Sequence, residues 1–150
     1  MMTIQALQIL HQGVTIWNEW RLTNLNLERS GEILTPQLQF VNLRGEDLRW
    51  FDLREVDLSC ADLRNADLRE ADLRRCNLRG ALLNGAHLQQ ALLSHAQLEG
   101  ANLTGANLEG AFLRGAKLND AYLNGANLCQ ADLTDIQLHN TCITDVLLDC

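Results

Sequence analysis

Several things are scarce in this sequence, and each scarcity removes a class of protein. Aromatics are 5% of the residues and there is one proline, which is not the composition of a mixed-fold globular enzyme. No apolar run approaches the roughly 20 residues that span a bilayer. The start, MMTIQALQILHQGVTIWNEWR, lacks an early positive cluster and a small-residue cleavage site, so a secretory leader is not expected and the expected location is cytoplasmic. Cysteines number five, an odd set without regular spacing, which does not suggest a secreted disulfide framework. There is no Gly-rich phosphate loop and no nucleophile motif. Positive charge is also short: the formal net charge is −7, which disfavours nucleic acid, whose affinity rests on Lys and Arg at phosphates, and leaves a basic protein partner open.

What is present is Leu and Ala in strict order. Laid out in fives from residue 41, the chain reads VNLRG, EDLRW, FDLRE, VDLSC, ADLRN, ADLRE, ADLRR, CNLRG and onward to VLLDC, 22 units without an insertion. The third position is Leu in 21 units and Ile143 in the other. The first is Ala in 14 of 22, with Val41, Phe51, Val56, Cys76, Ile136 and Val146 among the exceptions, and the second is Asp or Asn in 12 of 22. A helix repeats near 3.6 residues and a strand at 2, so a period of five drifts off one face of either. A period without drift means that every unit makes the same backbone turn, as in a solenoid.

If each unit forms one side of a square, four units close a coil and residue n lies under residue n+20. Coils stacked at the strand spacing of about 4.8 Å make a rod roughly 26 Å long, with about 5.5 coils over residues 41–150. The expected fold is therefore an all-β solenoid, a quadrilateral parallel β-helix, with residues 1–40 as a helical cap and connection. Its core is the Leu column, Leu43, Leu63, Leu83, Leu103 and Leu123 down one side, with Phe51 at the small-residue position; stacked leucines fit a narrow interior because the other inward residue is small. The fifth position turns the corner. It is Gly at 45, 80, 85, 100, 105, 110, 115 and 125, as positive φ favours, whereas Trp50, Cys60, Arg75 and His95 point to another turn type at their corners.

These units resemble the A(D/N)LXX signature of the pentapeptide-repeat family; ADLRN, ANLTG and ANLEG match it closely. The resemblance spans about three quarters of the chain, and implies a right-handed quadrilateral β-helix, a non-enzymatic role and an amino-terminal helical cap. Glu46 departs from it, a charge at an inward position of the first coil. An unpaired buried carboxylate is costly, so Glu46 is expected near solvent at the open end.

Residues 4–21 place Ile4, Leu7, Leu10, Val14 and Trp17 at spacings of three and four, one face of an amphipathic helix, with Gly13 weakening it by about 1 kcal/mol relative to Ala. This helix is expected to cover the first coil, with Leu10, Val14, Trp17 and Trp20 as contacts; a membrane-surface helix would carry more cations than Arg21. Residues 22–40, with Ser30-Gly31 and Pro36, form the connection, and PQLQF reads as an irregular first unit. At the other end Ile136, Leu138, Ile143, Val146 and Leu148 occupy the last coils with nothing after them, and an uncovered apolar coil invites association. A tail-to-tail homodimer through Ile143, Val146 and Leu148 is expected.

On the square, Cys129 and Cys150 fall at neighbouring outward positions of successive coils; a disulfide there is one alternative, and two free thiols in a reducing cytoplasm are the default. His87, His95 and His139 fall on three different sides, so no ligand cluster converges, and neither catalysis nor a cofactor is expected. Residues 41–80 carry eight Arg against nine acids, and residues 81–150 carry Arg114 and Lys117 against seven acids. Outward apolar residues break the Asp/Asn column: Leu92 and Phe112 stack on one side, and Leu82 and Tyr122 share another with Asn102 between them. Such stripes are candidate contact sites. The expected function is a protein-interaction scaffold with an unknown protein partner. A DNA mimic that binds DNA gyrase, which the family resemblance offers, is one alternative, against which the Arg-rich first half interrupts any continuous negative face. A structural or regulatory domain is the other.

Overall fold

The structure, a computed structural model, describes residues 2–28, 35–148 and 150. From Gln37 with Asp57 to Asn127 with Leu147, the second residue of each unit pairs in parallel with the residue twenty further on. The chain thus returns beside itself every four units. Three backbone hydrogen bonds recur at each return. Leu43 donates to the Asp62 carbonyl at 2.8 Å, Gly45 to that of Arg64 at 3.0 Å, and Asp62 back to that of Val41 at 2.9 Å. A fourth closes the corner, from Glu46 N–H to the Leu43 carbonyl at 3.2 Å. One correction concerns the expected all-β description: a turn every fifth residue limits each unit to a single bridged residue, and no extended strand forms among the described residues.

Units on top of one another make four stacks. Stack one contains 41–45 and every twentieth-residue repeat of it, stack two 46–50, stack three 51–55 and stack four 56–60. Inside, the Leu column is closed to solvent: Leu43, Leu63, Leu83 and Leu103 are 0% exposed, Leu123 is 1% exposed, and Phe51 lies beside them at 3%. Each buried Leu contributes about 1.5–3 kcal/mol, and the Ala column leaves the width they need. Cys76 substitutes for Ala without a break, 0% exposed, its thiol donating to the Val56 carbonyl at 3.1 Å; burial pushes its pKa up. Glu46 is exposed, at the first coil.

The corners overturn the expectation of two turn types. Trp50, Cys60, Arg75 and His95 have φ of 64°, 56°, 58° and 60°, the same turn that Gly45 makes at 70°. A left-handed residue costs about 1–2 kcal/mol. A corner of different shape would put every later Leu out of phase with the column beneath it, so the local cost is the smaller of the two.

The Asp/Asn column has a specific task. The fourth residue's N–H takes part in none of the three repeating backbone bonds, and the second residue's Oδ1 accepts it: Asn42 from Arg44 at 3.1 Å, Asp57 from Ser59 at 2.9 Å, Asn107 from Glu109 at 3.0 Å. A short acceptor two residues back is what Asp and Asn provide.

At the amino end the single helix expected over 4–21 is two, α1 (Met2–Leu10) and α2 (Val14–Glu28). Gly13 between them has φ 98°, a value α-helix does not tolerate, so its effect is a break. The break re-phases α1: Ala6 and Leu10 are buried while Ile4 is 69% exposed. The expected connection over 22–40 shortens accordingly, because α2 runs to Glu28 and the coil begins at Pro36, whose carbonyl accepts the Asp57 N–H at 3.0 Å. The Ser30-Gly31 part of that expectation lies outside the described residues.

Helix α2 meets the first coil with polar groups as well as apolar ones. Trp17 is fully buried, 6.2 Å from Phe51 and 5.2 Å from Trp20 between ring centres, and its Nε1 donates to the Asp52 carbonyl at 2.7 Å. Asn18 donates to the Trp50 carbonyl at 3.0 Å and accepts the Asp52 N–H at 2.8 Å, the latter replacing the carbonyl that a preceding coil supplies to the equivalent Asp72 N–H, that of Phe51. Buried Arg21 donates to the Arg54 carbonyl. Arg21 and Asn18 were not legible from helical periodicity, which registers apolar residues only. Val14 is half-buried against the same core.

Candidate interaction surface

Each stack presents its second, fourth and fifth residues outward. In five units of the first half the second and fourth are Asp and Arg, and they lock together. Asp62 accepts from Arg64 N–H at 3.2 Å and from Nε at 2.8 Å on Oδ1, and from Nη2 at 2.6 Å on Oδ2. Asp47–Arg49, Asp52–Arg54, Asp67–Arg69 and Asp72–Arg74 repeat the arrangement, each with a 2.6 Å ion pair. Next-coil contacts join them, Arg49 to Asp67 and Arg54 to Asp72 at 3.6 Å. The hydrogen bond from Arg49 holds Asp47 at about 2, well below the usual carboxylate range, and that from Arg64 does the same for Asp62. Exposed pairs of this kind contribute at most about 1 kcal/mol each; their effect is to leave little charge free on the surface they cover.

The column changes on stack three. Its second residues run Asp52, Asp72, Leu92, Phe112 and Asp132, and Leu92 pairs directly with Phe112. Leu92 is half-buried and Phe112 is 43% exposed. Beside them a cleft of about 330 Å³ is lined by Arg54, Glu55, Arg74, Arg75, Ser94 and His95. Leu82 and Tyr122 lie on stack one with Asn102 between them, 37% and 47% exposed, and the fourth residues beside them are the neutral Asn84, Thr104 and Asn124.

At the carboxyl end Leu118, Leu123, Leu128, Leu133, Leu138, Ile143, Val146 and Leu148 line an apolar hollow of about 160 Å³, where Ile143 and Leu148 are more than half exposed and Val146 packs partly on the core. Cys129 and Cys150 are joined, Cα to Cα 5.8 Å, so the free-thiol default does not hold for this pair; Cys60, Cys76 and Cys142 are free. His87, His95 and His139 stand on stacks two, three and four. Among the described residues no group of three or more His, Cys, Asp or Glu could hold a metal, and no helix is long and apolar enough to cross a membrane.

The chain is similar to several proteins of known structure. A pentapeptide repeat protein from the Arabidopsis thaliana thylakoid lumen is 33% identical over 66% of this chain and 70% of its own, with a TM-score of 0.64. One from the cyanobacterium Cyanothece 51142 is 32% identical, covering 81% and 96%, TM-score 0.37. A third, involved in heterocyst differentiation regulation in the cyanobacterium Nostoc sp. strain PCC 7120, is 27% identical, covering 76% and 81%, TM-score 0.42. No curated protein matches the chain. The model of pentapeptide repeats matches in eight copies over residues 37–69, 71–110, 96–135 and 111–148, and the chain therefore belongs to the pentapeptide-repeat family.

Proposed function

We propose that this protein is a non-enzymatic, cytoplasmic interaction scaffold, a right-handed quadrilateral β-helix whose outer stacks are read by a protein partner. The observation that carries the reading is the pair of apolar residues that replaces Asp/Asn in successive coils of stack three: Leu92 and Phe112 give up the acceptor that the fourth residue's N–H uses in the Asp/Asn units and place apolar surface in water. Exposed apolar surface in successive coils suits a contact. Affinity capture from the native lysate with the wild-type chain, Phe112→Asp and Tyr122→Asp tests it. A partner that either substitution removes supports the scaffold; a wild-type chain that retains no protein contradicts it.

The carboxyl-terminal hollow supports a second contact, a tail-to-tail homodimer through Ile143, Val146 and Leu148. The last coil carries both N–H donors and carbonyl acceptors on its outer edge, so a second copy related by a two-fold axis offers complementary groups as well as apolar ones. Sedimentation at high micromolar concentration is expected to show a dimer, and a monomer there argues decisively against it.

A further inference from the structure

Arg114 is unlike every other Arg at a fourth position. Arg44, Arg49, Arg54, Arg64, Arg69, Arg74 and Arg79 each have Asp or Asn two residues earlier, whereas Arg114 has Phe112. In the Asp-containing units the carboxylate occupies a pocket of donors made by the Arg N–H, Nε and Nη2, at 3.3, 2.8 and 2.6 Å in the Asp72–Arg74 unit on the same stack. In the Phe112 unit the same set of donors has no carboxylate of its own. Arg114 makes an exposed ion pair with Asp135 at 3.9 Å, both side chains more than 60% exposed, and the Asp132 carboxylate above Phe112 feels its charge but directs Oδ1 to the Thr134 N–H and hydroxyl. Nearby, Arg75 makes an exposed contact to Glu55 at 3.6 Å, and the His95 ring lies across Gly115, where a Cβ would come within 2.6 Å of Nδ1.

We infer that stack three binds an extended segment of a protein partner in which an Asp or Glu adjoins an apolar side chain. The partner's carboxylate supplies to Arg114, in trans, the acceptor that Asp supplies to Arg elsewhere in this chain, while its apolar neighbour lies on Leu92 and Phe112. Charged hydrogen bonds from a guanidinium to a carboxylate are the stronger kind, and in the adjoining cleft, lined by Arg54, Glu55, Arg74, Arg75, Ser94 and His95, the exposed Arg75 guanidinium, 3.6 Å from Glu55, offers a second donor. The fourth residues along the Leu82–Tyr122 stripe are the neutral Asn84, Thr104 and Asn124, and Arg64 one coil below is already paired with Asp62, so the same chemistry is not built there. This inference rests on the scaffold reading and narrows it to one stack and one class of partner.

Selection of random twelve-residue displayed peptides on the immobilised full chain tests it, with affinities then measured by fluorescence anisotropy. Enriched peptides are expected to place Asp or Glu next to a large apolar residue. Arg114→Glu is expected to weaken them tenfold or more, and a peptide with that acid changed to Arg is expected to recover binding to the same variant. Phe112→Asp serves as a second variant whose folding is secure, because it restores the ADLRG unit and pairs Arg114 in cis; it is expected to abolish binding without loss of thermal stability. Enrichment of basic or purely apolar peptides, peptides that bind both variants as well as wild type, or no enrichment at all would each overturn the inference. A lysate partner retained by Phe112→Asp but lost from Tyr122→Asp would overturn it while leaving the scaffold intact; a wild-type chain that captures nothing sinks the scaffold itself.

Discussion

A single Asp in this repeat performs two jobs, one for the backbone and one for the surface. Its Oδ1 satisfies the N–H of the residue two further on, and the full carboxylate holds the Arg side chain there. Because Asp47 and Asp62 are held at about 2 against an ordinary 3.8, their ionised forms favour the folded state. That contribution is complete above the unfolded value near 4 and is lost as pH falls toward 2. Urea unfolding at pH 5, 3 and 2 is expected to show stability dropping across that window, with a shallower drop for the double variant Asp47→Asn/Asp62→Asn, whose amides keep the backbone acceptor. Equal slopes for both proteins would remove the ladder from the account. At this scale the Asp/Asn column was visible in the sequence but its backbone role was not, since which N–H lacks a partner depends on how coils pair. The corner residues misled for a related reason: the identity of Trp50 or Arg75 argues for negative φ, and only the phase of the Leu column shows why positive φ prevails at 64° and 58°.

Helix α2 and the last coil are the elements where the repeat meets something other than itself. Asn18 completes the hydrogen bonding of two backbone groups of the first coil. Asn18→Ala leaves both without that partner and is expected to cost about 1–3 kcal/mol in denaturant unfolding, whereas Thr15→Ala, on the exposed side of the same helix, is expected to stay within about 0.5 kcal/mol. Equal effects would mean that the two Asn18 hydrogen bonds contribute nothing to holding α2 on the coil. At the opposite end, the Cys129–Cys150 link closes a loop 21 residues apart in sequence, for which chain entropy assigns about 3 kcal/mol. Reduction is expected to speed amide exchange in residues 131–148 while residues 61–120 stay protected; uniform exchange before and after reduction would contradict a local role. The presence of a cap was legible from Leu10, Val14 and Trp17. Its division at Gly13 was not, because the cost of a glycine inside a helix does not distinguish a weak helix from two.

Across the whole molecule, stability is a sum over stacked coils, each in contact with its neighbours alone. Leu83→Ala, in the middle of the Leu column, is expected to lose about 2–5 kcal/mol, and Leu148→Ala, more than half exposed at the open end, far less; equal losses in equilibrium unfolding would argue against a closed interior. The coil period was legible because nothing interrupts 22 units in register. The partner is harder to read, because a repeat that repeats for folding conceals function except where it breaks, as it does at Leu92, Phe112 and Arg114. Every assignment of a residue to a stack depends on the chain returning beside itself after twenty residues. Nuclear Overhauser contacts among backbone protons of Asp72, Leu92 and Phe112 measure that directly. Contacts linking each of these residues to the next twenty along are predicted, and backbone contacts confined to residues three and four apart through 41–148 would contradict the account.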